Sequence, residues 1–122
     1  MRAYNLHAIA TVLETEAMLI KSRKPLNSEQ EQLVKIIISR IAGVITAGKY
    51  VVCTYNVPRD RLAVAAKVTP GKRAPTVSAL ETPGWVAVSS MVEKKKSAEI
   101  MDELEKIGAE DILIFNLDNC RA

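Results

Sequence analysis

Thr69-Pro70-Gly71-Lys72-Arg73-Ala74-Pro75-Thr76 runs on through Val77-Ser78-Ala79-Leu80-Glu81 to Thr82-Pro83-Gly84-Trp85. This stretch holds three of the chain's five prolines and two of its five glycines. No helix crosses Pro70-Gly71, because proline lacks the backbone N–H and glycine favours open backbone. Thr76 to Glu81 alternates enough to be a short strand. Thr82-Pro83-Gly84 has the composition of a tight turn, with proline pre-setting φ and glycine free to take positive φ. Trp85 to Val92 supplies a second strand, so the stretch predicts an antiparallel hairpin entered through an exposed basic loop.

The flanks complete a pattern. Lys49 to Thr54 is a β-branched strand, and Pro58 suits the first turn of a helix carrying Leu62, Ala65 and Ala66. Beyond the hairpin, Glu93 to Ile107 reads as a helix with Ala98, Met101, Leu104 and Ile107 inward and Gly108 after it. Ile112-Leu113-Ile114-Phe115 is the last strand. The order from Lys49 is βαββαβ. That is the α+β, ferredoxin-like plan: a four-stranded antiparallel sheet with two helices on one face and the other face uncovered.

Upstream, Lys24-Pro25-Leu26 breaks the chain and Asn27 or Ser28 caps a helix; Ser28-Glu29-Gln30-Glu31 has capping-box form. The helix is expected to reach Ala47 and stop at a C′ glycine, Gly48. Leu33, Val34, Ile36, Ile37, Ile38, Ile41, Val44 and Ile45 cover more than one of its sides, which predicts a connector wedged between two partners. Residues 8–12 and 16–21 read as two short strands. A pair alone is marginal, so they are expected to join a sheet supplied elsewhere, and the text after Met1 reads like the middle of a domain.

The 122 residues suit one domain with an appendage. With 48% apolar residues and only 4% aromatic, the core is aliphatic. A net charge of +3 permits an anionic ligand but falls short of the excess of a dedicated nucleic-acid binder. Cys53 and Cys120 match no metal or redox spacing and read as free thiols of a reducing compartment. No apolar run approaches the ~20 residues of a membrane span.

Catalytic chemistry finds little support. His7 is the only histidine, and no glycine-rich phosphate motif or metal motif occurs. Glu93-Lys94-Lys95-Lys96 opens a helix with lysines that oppose its dipole, the mark of a solvated face or an anion site. Gly71 to Thr76 offers two cations, a hydroxyl and free amides, suited to a carboxylate or phosphate. Asn56 and Asp111 end and open strands that approach the hairpin. An amino acid ligand needs such a set of donors and acceptors. The same plan serves RNA-recognition domains, which stack bases on aromatics of the central strands; here those would be Tyr50, Tyr55 and Trp85. A stand-alone anion- or RNA-binding module is therefore the alternative.

Thr69-Pro70-Gly71-Lys72-Arg73-Ala74-Pro75-Thr76-Val77, Gly84-Trp85-Val86-Ala87-Val88, Ile100-Met101-Asp102-Glu103-Leu104, Gly108-Ala109-Glu110-Asp111-Ile112-Leu113 and Asn119-Cys120-Arg121 together resemble the C-terminal part of long-form ATP phosphoribosyltransferase, in its fungal-like version. Leu13 to Ile20 and Ile41-Ala42-Gly43-Val44-Ile45 are similar to the same family. The resemblance implies closing strands of a truncated catalytic lobe at 1–25, a connector at 26–48, and a histidine-binding regulatory domain at 49–122. It implies a cytoplasmic enzyme of the first step of histidine biosynthesis. The full-length protein would join ATP to phosphoribosyl pyrophosphate with Mg2+, and the active site would lie upstream of this chain. It implies feedback inhibition by L-histidine and a hexamer with trimer-type contacts through the regulatory domain; neither nucleic acid nor membrane is a partner. Carried over by motif, the histidine contacts fall on Asn56, Lys72, Thr76, Met91 and Asp111. Relatives often carry an acid in place of Asn56 and a small residue in place of Asp111, so an acid has moved across the expected pocket.

Overall fold

The computed structural model describes residues 7–121. Helix α1 spans Ser28–Ala47, followed by strand β1 (Tyr50–Pro58), helix α2 (Leu62–Val68), the hairpin strands β2 (Thr76–Ala79) and β3 (Trp85–Glu93), helix α3 (Ser97–Ile107) and strand β4 (Glu110–Asn116). The strands form one antiparallel sheet in the order β2-β3-β1-β4, as the ferredoxin-like plan requires. The hairpin forms, with Gly84 at φ +81° and the Trp85 amide donating to the Thr82 carbonyl at 3.3 Å, but β2 ends at Ala79, two residues before the expected Glu81, so the connection is longer than a tight turn.

Strict alternation on the two central strands decides which face is covered. Val51, Cys53, Tyr55 and Val57 of β1, with Val86, Val88 and Val92 of β3, are buried beneath α2 and α3. Ala65 and Leu104 are the fully buried helix residues that meet them. Val52, Thr54, Asn56, Ala87, Ser89 and Met91 point to the opposite, open face, where Leu113 and Phe115 of β4 are about half exposed. A polar chain threads the covered side. The Tyr55 hydroxyl and Thr69 Oγ1 share a 2.7 Å hydrogen bond, Thr69 donates to the Ala65 carbonyl, and Ser90 Oγ donates to the Thr69 carbonyl at 3.0 Å. These bonds fix the end of α2, and with it the start of the basic loop, to both central strands.

Several boundaries differ from expectation. Pro58 ends β1 rather than opening α2, and a 3-10 turn, Arg59–Arg61, lies between them. Another, Lys94–Lys96, precedes α3. Ala98 is exposed and Ile100 packs on the core instead: at about 100° per residue Ile100 lies near the buried Leu104 on the helix surface and Ala98 does not. The cap of α1 is Asn27, whose side chain accepts from the Gln30 amide while Gln30 Oε1 accepts from the Asn27 amide, so the capping box sits one residue earlier. Gly48 does end α1, but in right-handed geometry at φ −65°.

Upstream of α1 the chain has no regular structure among the described residues. Residues 8–12 and 16–21 form no strand, and no ladder pairs them with each other or with the described sheet. A strand exists only through its hydrogen-bonded neighbour; the sheet they were expected to join would be supplied elsewhere, and no neighbour for them occurs among the described residues. The first six residues of the expected 1–25 unit lie outside the described residues.

Helix α1 exposes Leu33, Ile36, Ile37, Ile38, Ile41, Val44 and Ile45, and buries only Gly43 and Ala47. At Gly43 the C-terminal tail closes on the helix: the Cys120 amide donates to the Gly43 carbonyl at 2.9 Å and Asn119 Nδ2 donates to the Arg40 carbonyl at 3.3 Å. A Cβ at Gly43 would overlap Asn119 Oδ1, so any larger residue would displace that side chain from the helix surface.

Candidate functional site

The open sheet face carries a cleft of about 230 Å³ where β2, β3, β1 and the start of β4 meet. Register builds it. Thr76 lies opposite Ser89, which lies opposite Thr54; Ser78 lies opposite Ala87, which lies opposite Asn56. Two rows of side chains thus place four hydroxyls, from Thr54, Thr76, Ser78 and Ser89, around the cleft.

Asp111 enters it through a β-bulge. Thr54 pairs with Leu113 but Asn56 pairs with Glu110, so Asp111 and Ile112 together face Tyr55. Asp111 adopts φ +50°, the one non-glycine residue with positive φ among the described residues. Asp tolerates the left-handed region better than most residues, at a cost of order 1 kcal/mol. The bulge turns its carboxylate onto the open face, where Asn56 Nδ2 donates to Asp111 Oδ2 at 2.9 Å. That bond orients the carboxylate, and Oδ1 accepts no hydrogen bond among the described residues.

Of the residues expected from sequence, the structure brings Asn56, Thr76 and Asp111 together. Lys72 and Met91 line a different cleft, of about 490 Å³, with Tyr50, Lys67, Glu93 and Lys96. Sequence reasoning missed Thr54, Ser78 and Ser89. Their signal was the strand alternation itself, which sets Ser78 two residues from Thr76 and Ser89 two from Met91. The thiol of Cys53, next to Thr54 but on the covered face, is pushed up to about 11 by burial. Burial likewise raises the Tyr55 phenol, with the Thr69 hydrogen bond pulling the other way. Neither group is poised for nucleophilic or acid–base work near neutrality.

Comparison with known proteins bears on this arrangement. The family model described as "HisG, C-terminal domain" matches residues 47–119, which hold the whole sheet and both covering helices. The chain belongs to the HisG family. Its relatives include the ATP phosphoribosyltransferase of Yarrowia lipolytica, 60% identical over 99% of this chain, and that of Saccharomyces cerevisiae, 51% identical over 99%. The Schizosaccharomyces pombe enzyme is 52% identical over 99% of the chain. This HisG-family chain spans about 40% of the length of these relatives, corresponding to their C-terminal portion.

No group of three or more His, Cys, Asp and Glu side chains able to hold a metal ion occurs among the described residues of this HisG chain. No helix among the described residues is long and apolar enough to cross a membrane.

Proposed function

We propose that this chain is the regulatory portion of an ATP phosphoribosyltransferase and that its open-face cleft binds L-histidine. The observation that carries the reading is the Asn56–Asp111 pair, a carboxylate held by a 2.9 Å hydrogen bond at a strained bulge among four hydroxyls, within a HisG C-terminal domain. Free histidine has an ammonium, a carboxylate and an imidazole. Asp111 Oδ1 accepts from the ammonium or a protonated imidazole, and the hydroxyls of Thr76, Ser78 and Ser89 donate to the carboxylate. Lys72 lines the other cleft and is not assigned to the amino acid; Met91 shares the open face with Ser89, two residues along β3, but lines that other cleft as well.

In the full-length protein the reaction would join ATP to phosphoribosyl pyrophosphate with Mg2+ and release pyrophosphate, in the cytoplasm, as the first step of histidine biosynthesis. This chain would contribute feedback control and assembly into a hexamer rather than the chemistry itself. The half-exposed Leu113 and Phe115 beside Val52 and Met91 support association through the open face, since burying such side chains contributes roughly 1.5–3 kcal/mol each.

The RNA alternative loses its platform. Tyr55 faces the helices and is only 1% exposed, leaving Tyr50 and Trp85 at opposite ends of the two central strands. A direct test follows the Asn56 side-chain amide and the Asp111 backbone amide by NMR during titration with L-histidine. Saturable shifts centred on these groups are expected. Shifts confined to other surfaces, or none, would overturn the assignment.

A further inference from the structure

The cleft that Lys72 lines has a chemistry of its own. It is the larger of the two, about 490 Å³, within the range of small-molecule sites. Its floor is apolar, built from Val68, Pro70, Val92 and Ile100, and Tyr50 forms one wall. Lys67, Lys72 and Lys96 line it from three different elements, the end of α2, the basic loop and the 3-10 turn before α3. Glu93 is the only carboxylate among the lining residues, and it is engaged by Lys96 at 3.2 Å. Two ammonium groups are therefore left without an acidic partner in the cleft.

The backbone adds to this. Gly71 holds φ +67°, and a Cβ there would meet Ser90 Oγ at 2.9 Å and the Ala74 backbone at 3.3 Å, so the loop is folded closely over β3. The amides of Gly71, Lys72 and Arg73 make no hydrogen bond among the described residues. Three consecutive lysines, Lys94 to Lys96, precede α3, whose start has no side-chain cap. Cations at a helix N-terminus are unfavourable. A bound anion would relieve that repulsion and satisfy the loop amides together.

We infer that this cleft is a second ligand site, distinct from the open-face cleft, for a phosphorylated small molecule whose remaining part is flat and apolar. The phosphate would sit between Lys67, Lys72 and Lys96, and the flat part would lie on the apolar floor against Tyr50. The inference goes beyond the amino acid reading and does not rest on it.

The test is calorimetric titration of this chain with phenyl phosphate and, separately, inorganic phosphate at matched ionic strength. Saturable one-to-one binding is expected, at least about tenfold tighter for phenyl phosphate because the ring covers apolar floor. Lys72→Gln and Lys96→Gln should each weaken it about tenfold, since each removes a charge-assisted contact. Glu93→Gln should tighten it about fivefold by removing the one opposing charge. Lys106→Gln, on the last turn of α3 and outside the cleft, should leave it unchanged. All four positions are exposed, so the fold survives the substitutions. Absence of saturation, or equal weakening by Lys106→Gln, would overturn the proposal. Equal affinity for the two phosphates would overturn the assignment of the flat part. Repeating the titration with saturating L-histidine separates the two sites: unchanged phosphate binding is expected, and competition would mean one site rather than two. Failure of histidine to bind at all would leave the phosphate titration fully readable.

Discussion

Replacing Asp111 separates what the residue costs the fold from what it offers a ligand. Two variants are needed. Asp111→Gly and Asp111→Ala both remove the carboxylate and its 2.9 Å hydrogen bond from Asn56. That bond is exposed, so its loss costs about 0.5–1 kcal/mol of stability. The variants differ at the backbone. At φ +50° glycine is unstrained, whereas alanine pays about 1 kcal/mol or more and lacks the local hydrogen bonding that lets Asp sit there. Asp111→Gly is therefore expected to lie within about 1 kcal/mol of the parent, and Asp111→Ala to be about 1–2 kcal/mol less stable. Affinity for L-histidine should behave differently. Both variants lose one charge-assisted hydrogen bond, about 1.5–3 kcal/mol, or roughly ten- to a hundredfold in Kd. Urea denaturation and isothermal titration on the same preparations give the two readouts. Equal stability of the two variants would refute the backbone argument. Undiminished histidine affinity in both would refute the role given to the carboxylate.

Other positions test the rest of the account. Thr69→Val leaves the buried Tyr55 hydroxyl without its partner, so urea denaturation should show a loss of about 1–3 kcal/mol; a loss under 0.5 kcal/mol would mean that the network contributes little. Gly43→Ala sets a helix gain of about 1 kcal/mol against expulsion of Asn119 from the helix surface. Stability should change little while hydrogen exchange at the Cys120 amide accelerates, and unchanged protection there would contradict the close-approach argument. Arg61→Ala removes the guanidinium that donates to the Ile107 carbonyl at the end of α3, at 2.6 Å, and should cost about 1 kcal/mol in thermal or urea unfolding. For Cys53, the folded thiol is raised from 9.0 to about 11, so the native state holds the proton longer than the unfolded chain. Its contribution is complete below pH 9 and is lost as pH rises towards 11, by up to about 1.4 kcal/mol per pH unit. The slope between pH 9 and 10 should flatten in Cys53→Ala, and an unaltered slope would assign it to another group.

The central strands were legible because their burial is one-sided. Each alternates without interruption over nine residues, and a period of two admits one register against a covered face. The hairpin was legible for a local reason, Pro83-Gly84 at a turn that needs positive φ. The site was readable only in part. Asn56 and Thr76 lie on regular strands, so their face follows from counting. Asp111 lies at a bulge, and no pattern in Glu110-Asp111-Ile112 announces the extra residue that turns its carboxylate onto the open face. Lys72 was placed by its motif, but loop conformation sends it to the other cleft. Residues 8–21 show that β-like composition is only half of a strand, the other half being a neighbour, and none lies among the described residues. Gly43 was visible as a glycine inside a helix pattern, yet its reason, the tail at Asn119 and Cys120, comes from far along the chain.

The central claim is that this HisG C-terminal domain binds L-histidine on its open sheet face. Isothermal titration of the chain with L-histidine, with L-arginine as control, tests it most directly. The account predicts saturable binding of L-histidine, one per chain, and none of L-arginine at the same concentrations. Equal binding of both amino acids, or no binding of L-histidine to the chain, would contradict it.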